Sequence, residues 1–368
     1  MARILCTVTN DLSQDQRMIR ICSTLQAAGY EVTLVGRQRQ NSLALRSHSF
    51  QQYRLPCYFD AGKFFYLEYN LRLLWYLWRN PVDIVNAVDL DTLLPAYLIS
   101  RIRRGTTCVY DAHEYFTEVP EVTRRPAIQR IWSTLANWII PQLEYAYTVG
   151  PALARIFSER YSTSFGVVRN VPVRRQAPEK RSPSSKVLLY QGMLNEGRGL
   201  ETAIRAMKLL PEEFRLILVG SGDVEQELKQ LAIEEQVDGR VEFTGFVTPD
   251  QLPSYTNQAW LGLNLLENTG LSYYYSLANK AFDYIQSNVP SVQMAYPEYV
   301  ALQEEYGCFV LLDQLEPQEL AEHILHLAAN EAVYQQLVEN NRAAAQDLCW
   351  EHEQQRLLDI YQEVAASR

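Results

Sequence analysis

Val187-Leu188-Leu189-Tyr190-Gln191-Gly192-Met193-Leu194-Asn195-Glu196-Gly197-Arg198-Gly199-Leu200 holds a whole strand-to-helix turn in one short stretch. The apolar run predicts a strand over Val187–Gln191. A glycine-rich loop follows, and helical spacing sets in over Leu200–Leu210. Free N–H groups at a helix start, with a cation such as Arg198 in the loop, suit a diphosphate. A plain turn whose glycines only relieve strain would look the same. Leu218-Val219-Gly220-Ser221-Gly222-Asp223 repeats the arrangement one unit later. Two such loops on consecutive strands reinforce each other, because both lie at the carboxyl edge of one sheet, where α/β ligands bind.

Outward from this stretch, short β-rich runs alternate with longer amphipathic ones. Further strands are predicted over Arg3–Thr9, Glu31–Val35, Ile84–Val88, Cys108–Asp111, Tyr147–Val149 and Gly166–Arg169. In the second half they are predicted over Arg215–Val219, Val241–Thr244, Leu261–Leu265, Ser291–Met294 and Phe309–Leu312. Several are nearly all apolar, as strands buried on both faces of a parallel sheet are. Helical patterns cover Gln14–Ala28, Val224–Glu235 and Pro317–Ala329, and a last helix starts near Trp350. Two rounds of alternation predict an α/β protein with two doubly wound units. The polar, proline-rich stretch 173–185 lacks periodicity and reads as a linker. It separates a first domain, 1–172, from a second, 186–349.

Charge is unevenly spread. Residues 1–175 carry 21 Lys+Arg against 14 Asp+Glu, a net of +7. Residues 176–368 carry the other 13 against 29, a net of -16. A basic half implies that one side meets something anionic. Nucleic acid is not favoured, because no nucleic-acid motif is present. A membrane surface or a phosphate-bearing acceptor remains. The opening residues do not read as a signal peptide, and no apolar run is long enough for a membrane span. The six cysteines are scattered, so the expectation is reduced thiols in a cytoplasmic protein, peripheral on the cell membrane at most.

Other polar clusters carry chemistry. On a helix, Asn279, Lys280 and Asp283 share a face, where lysine could grip phosphate and aspartate ribose hydroxyls. A surface ion pair of Lys280 with Asp283 is the alternative. Tyr110-Asp111-Ala112-His113-Glu114 follows a predicted strand, and His113 is one of five histidines. Asp89 and Asp91 follow another, as ligand groups or helix caps. No His, Cys, Asp or Glu set has metal-ligand spacing. In Lys63–Arg79, apolar residues at 64, 67, 71, 74 and 78 follow helical spacing among many aromatics. A core helix and an interfacial membrane helix both fit.

The order of these motifs resembles the retaining, GT-B glycosyltransferases of glycosyltransferase family 4. The resemblance covers nearly the whole chain. It rests on Thr9-Asn10-Asp11-Leu12, Asp111-Ala112-His113-Glu114, Arg169-Asn170-Val171-Pro172, the loop Gly192 to Gly199, Gly220-Ser221-Gly222, Gly245, and Asn279-Lys280-Ala281-Phe282-Asp283-Tyr284. It implies a GT-B fold, with two Rossmann-like domains facing across a cleft and the helix 350–368 crossing back to the first. It implies transfer of a sugar from a nucleotide-sugar donor to a glycan or lipid-linked acceptor, with no metal and no cofactor. Arg198 would neutralise the diphosphate, Asp283 would hold the ribose, His113 would touch the donor sugar, and Gly245 and Phe246 would meet the base. Gly192, Gly220, Gly222 and Asn279 complete the donor side. Asn10, Asp89, Asp91 and Glu114 are acceptor-side candidates.

Two positions depart from the family pattern. Tyr275 stands where a glutamate is usual, and Met193 where an arginine is. Lys280 is the expected substitute for the missing cation. A GT-B sugar-nucleotide epimerase or hydrolase, or a catalytically silent relative that binds nucleotide sugar or a polyanion, is the alternative reading.

Overall fold

The six apolar runs of the first half and one polar segment form seven parallel strands in the computed structural model, which describes residues 1–175 and 186–368. They are β1 (Arg3–Thr7), β2 (Glu31–Gln38), β3 (Gln51–Pro56), β4 (Ile84–Val88), β5 (Thr107–Ala112), β6 (Tyr145–Thr148) and β7 (Phe165–Val167). The strand order is β3-β2-β1-β4-β5-β6-β7. The second half forms β8 (Lys186–Gln191), β9 (Phe214–Val219), β10 (Val241–Gly245), β11 (Leu261–Asn264), β12 (Ser291–Met294) and β13 (Phe309–Leu312). These pair, again in parallel, as β10-β9-β8-β11-β12-β13. Both sheets are α/β and doubly wound, as expected. In each, the chain starts mid-sheet, builds outward one way, then returns to build the other way. Each switch point opens a crevice at the carboxyl ends of the two central strands, β1 with β4 and β8 with β11.

Contacts divide the described residues into two units, Met1–Asn170 with Glu353–Arg368, and Val171–His352. The C-terminal helix Trp350–Ala366 contributes Leu357, Tyr361 and Val364 to the first unit's core. It is anchored there by Glu353, which accepts from the Arg169 N–H at 2.9 Å and pairs with its guanidinium at 3.2 Å. Of the predicted linker, Val173–Arg175 belong to the second unit, and the remainder, 176–185, lies outside the described residues.

Several predicted elements need correction. Strand β3 is absent from the sequence expectations because it is a polar edge strand that ends in proline and buries only Leu55. Strand β1 stops at Thr7, not Thr9, and β7 closes at Val167, not Arg169. The first helix, α1, spans Gln16–Ala27. It starts later than Gln14 because Asp15 caps it, its carboxylate accepting from the Met18 N–H at 2.9 Å.

The aromatic segment is helix α2 (Gly62–Arg79). It buries Phe65, Tyr69, Leu73 and Leu77 on the neighbouring helix α3 (Leu90–Ile102) and the sheet beneath. Of the positions expected to form its apolar face, Phe64, Leu67, Leu71 and Trp78 point to solvent. All six cysteines are free thiols. Among the described residues, no helix is long and apolar enough to cross a membrane.

Candidate active site

The switch point of the first sheet holds a pocket of about 360 Å³. Its wall includes Thr9 and Asn10 after β1, Asp89 and Asp91 after β4, His113 after β5, and Arg17 from α1. The structure thus brings Asn10, Asp89, Asp91 and His113 together. Glu114 is solvent-exposed and does not line this pocket, although its charge acts on Asp89. Asn10 braces the entrance, its amide donating to Asp15 at 2.6 Å and its oxygen accepting from the Leu12 N–H at 2.9 Å.

Asp89 is held in an unusual backbone state, with φ of 58°. A non-glycine residue in that region is strained and persists only where its surroundings enforce it. Here its N–H donates to the Asp111 carbonyl at 2.9 Å, and its carboxylate accepts from the His113 N–H at 2.8 Å. Burial, with Glu114, Asp91 and Asp111 nearby, pushes the Asp89 carboxyl well above the ordinary range. Burial likewise lifts Asp91 to about 6, although the Thr9 hydroxyl, donating at 2.7 Å, opposes the rise. The His113 ring is pushed the other way by desolvation first and by the Arg17 charge second, so the neutral imidazole is favoured. Its side chain is 41% exposed, so water moderates that push. Carboxyls raised and an imidazole lowered in one crevice make this pocket a candidate site.

Sequence reasoning missed Arg17. Its guanidinium donates to Asp111 at 2.6 Å and to the Val168 carbonyl at 3.3 Å, and both ionic partners are buried. A charged residue on the buried stripe of an amphipathic helix, beside Met18 and Ile21, is the signal that could have revealed it.

The second sheet's switch point is built by backbone. The Leu194 N–H donates to the Ser221 carbonyl at 3.1 Å, and the Gly192 N–H to Val219 at 2.9 Å, so the two glycine loops lie against each other. A Cβ on Gly220, whose φ is +135°, would fall 1.9 Å from the Gly192 carbonyl oxygen. A Cβ on Gly199 would fall 2.1 Å from the carbonyl oxygen of Leu265, just past β11. Glycine is therefore required at both places. Gly222 packs on Leu194 in the same way, and Gly245 bridges Gly220. Beside Gly245, Phe246 presents its ring to solvent at 61% exposure.

Two cations face the first loop. The Arg198 guanidinium sits 4.9 Å from the Tyr273 ring centre, and its Nε is buried without a hydrogen-bond partner among the described residues. Lys280 enters from the first turn of the helix Asn279–Gln286. Its ammonium lies 3.8 Å from the Tyr190 ring centre, and a side chain at Gly192 would meet it at 3.5 Å. Lys280 is buried, whereas Asn279 beside it is exposed. Burial first, and the Arg198 charge second, hold the Lys280 ammonium well below its ordinary pKa. The predicted shared face of Asn279, Lys280 and Asp283 is therefore split by burial.

Asp283 instead accepts from the Gln191 amide at 3.1 Å and pairs with Arg175 at 3.5 Å. Gln191 is fixed in turn by the Thr256 hydroxyl at 2.8 Å. Gln191, Thr256 and Arg175 were not singled out from the sequence, and neither was Glu267, whose N–H donates to the Gly197 carbonyl at 3.0 Å. Met193 is exposed, and Tyr275 packs edge-on against Tyr274 at 4.9 Å. Among the described residues, no group of three His, Cys, Asp or Glu side chains could hold a metal.

Residues 15–172 match the family described as Glycosyltransferase Family 4, and residues 185–330 match the family described as Glycosyl transferases group 1. Together these matches span most of the chain, one in each unit. The chain belongs to the GT-B glycosyltransferases. Solved GT-B structures superpose over its full length. The sucrose-phosphate synthase of Thermosynechococcus elongatus is 16% identical, with a TM-score of 0.83 and 100% of each chain covered. HepE of Anabaena, solved with UDP-glucose, is 17% identical, with a TM-score of 0.76 over 99% of this chain and 100% of that one. At such identity these likenesses speak for the GT-B fold alone. An uncharacterized glycosyltransferase of Methanocaldococcus jannaschii is 38% identical over 69 residues, a stretch that covers 18% of this chain and 18% of that protein.

Proposed function

We propose that the chain moves a sugar from a nucleoside-diphosphate sugar to a hydroxyl group of a glycan or lipid-linked acceptor. The observation that carries this reading is the pair Arg198 and Lys280. Both are partly or wholly buried beside a glycine loop that leads into a helix, and no carboxylate pairs with either among the described residues. Two cations and free amide N–H groups in one place suit a diphosphate. That HepE, which shares the fold, was solved with UDP-glucose favours a nucleotide sugar.

In the transfer, the bond from the anomeric carbon to the diphosphate breaks as the bond to the acceptor oxygen forms. Arg198, Lys280 and the amides stabilise charge growing on the leaving group. In the retaining course that the family resemblance implies, the acceptor proton passes to that leaving phosphate. The anomer of the product, read by NMR, decides retention. The first unit's pocket, with neutral His113 and its carboxyls, suits sugar hydroxyls.

Thermal shift against nucleoside diphosphates tests the donor site, because a ligand that binds the folded state stabilises it by mass action. The family resemblance assigns Asp283 to the ribose hydroxyls, so Asp283→Ala is expected to weaken binding by ~1–3 kcal/mol, the loss of charge-assisted hydrogen bonds. Unchanged affinity would remove Asp283 from the site.

His113→Ala is expected to lower turnover strongly while sparing affinity for the free diphosphate, the pattern of a contact made in the sugar-bearing transition state. A variant with a lower melting temperature but normal turnover per folded molecule would instead make His113 a structural residue.

A further inference from the structure

Helix α2 is apolar on two opposite faces, and only one of them is used by the fold. At about 100° per residue, Phe64, Leu67, Leu71, Trp75 and Trp78 fall within an arc of about 80°. The buried Phe65, Tyr69, Leu73 and Leu77 fall on the far side. Each of the five outward residues is between 49% and 59% exposed. Phe59 extends the stripe, its ring 5.5 Å from that of Phe64. A row of this kind, ~20 Å long on an α-helical rise, is more than scattered surface apolarity.

Cations border the stripe and lean on its rings. Lys63 lies 5.2 Å from the Phe64 ring centre, Arg79 4.5 Å from Trp75, and Arg103, just past α3, 5.4 Å from Trp78. Arg72 lies 5.2 Å from the Tyr58 ring but is neutralised by Glu68, one turn earlier on the helix, at 2.8 Å. Aromatic and leucine side chains along one face, with basic groups at its edges and ends, are the pattern of a helix lying in a bilayer interface. The basic half of the chain adds attraction to anionic headgroups.

We propose that the outward face of α2 seats the first unit on an anionic lipid bilayer, with the stripe in the headgroup–acyl boundary and Lys63 and Arg79 among the headgroups, while Arg103, donating to the Trp78 carbonyl, braces the end of the stripe. The charge complementarity sets the bilayer above a second copy of this chain, whose equivalent face would bring like charges together. The proposal concerns a surface of the first unit and stands apart from the donor-site reading.

The full chain is tested by co-sedimentation with phosphatidylcholine vesicles and with vesicles of phosphatidylcholine and phosphatidylglycerol in equal parts. Wild type is expected to bind the mixed vesicles far better, less so as salt is raised, with a blue shift of tryptophan emission. The variant Leu67→Ser/Leu71→Ser/Trp75→Ser removes only exposed groups. It is expected to keep its melting temperature and to lose roughly a hundredfold in partitioning, since each buried methylene counts. The variant Lys63→Glu/Arg79→Glu is expected to lose the preference for the anionic vesicles. Absence of wild-type binding to the mixed vesicles, or equal binding by the triple variant, overturns the proposal. So does a wild-type dimer that the triple variant dissociates while neither binds vesicles, because the face would then belong to a second copy.

Discussion

Arg17→Ala is expected to destabilise the first unit by about 3–5 kcal/mol, because it removes the ion partner of the buried Asp111 carboxylate. Asp111 sits on the interior strand β5, beside β4, and is fully buried, and Arg17 reaches it from α1. Burial already pushes the Asp111 carboxyl up, and Arg17 pulls it back. Removing Arg17 therefore raises its folded pKa further. A carboxyl with a raised folded pKa contributes full stability below its unfolded pKa and loses it as pH rises through the folded value. The deficit of Arg17→Ala is thus expected to be largest at neutral pH and to shrink as pH falls toward the ordinary aspartate range. Urea denaturation of both proteins at several pH values measures it. The double variant Arg17→Met/Asp111→Leu is expected to recover most of the loss, since apolar pairs often replace buried ion pairs without penalty. A single variant within about 1 kcal/mol of wild type at pH 7 would show that the pair is dispensable.

Lys280→Met is expected to cut turnover by about 10²–10³, the usual loss when one stabiliser of a developing anion is removed. Without nucleotide the same variant is expected to be at least as stable as wild type. Burial and Arg198 hold the Lys280 ammonium well below its ordinary value, so the folded free protein resists protonating it. A lysine with a depressed folded pKa lowers stability as pH falls through the interval between its ordinary and depressed values. Methionine removes that slope. An anion bound beside Gly192 reverses the preference and should draw a proton onto Lys280. Calorimetry of nucleoside-diphosphate binding in two buffers of different ionisation enthalpy, repeated as pH is raised from neutral, is expected to show proton uptake once the pH passes the depressed Lys280 value, and Lys280→Met is expected to lack it. Arg198→Met should weaken binding as well. With two protein cations on the diphosphate, turnover is expected to survive EDTA. Lost turnover that magnesium restores would mean that the charge is neutralised by another route. Equal turnover of Lys280→Met and wild type would remove Lys280 from the chemistry.

The sheet strands were legible wherever they are buried on both faces, since a run such as Val187–Gln191 or Ile84–Val88 is apolar at all but one position, Gln191 in the first and Asn86 in the second. The glycine loops were legible because a backbone packed on another backbone, as Gly220 is on Gly192, excludes a side chain. Edge strand β3 was not, since its exposed face is polar and its neighbour alone makes it a strand.

By itself, then, the sequence determined two rounds of parallel α/β structure and which glycine-rich and polar loops follow their strands. All of that is local, written in period and in glycine. Only the tertiary structure decided which polar groups meet. Arg17 finds Asp111 94 positions away, and Asp283 finds Gln191 92 positions away, through strand order that no spacing encodes. It also decided the rotation of α2. A helix apolar on both sides has no preferred face until its neighbours are in place, and here the sheet took Phe65, Tyr69, Leu73 and Leu77 and left the tryptophans outside.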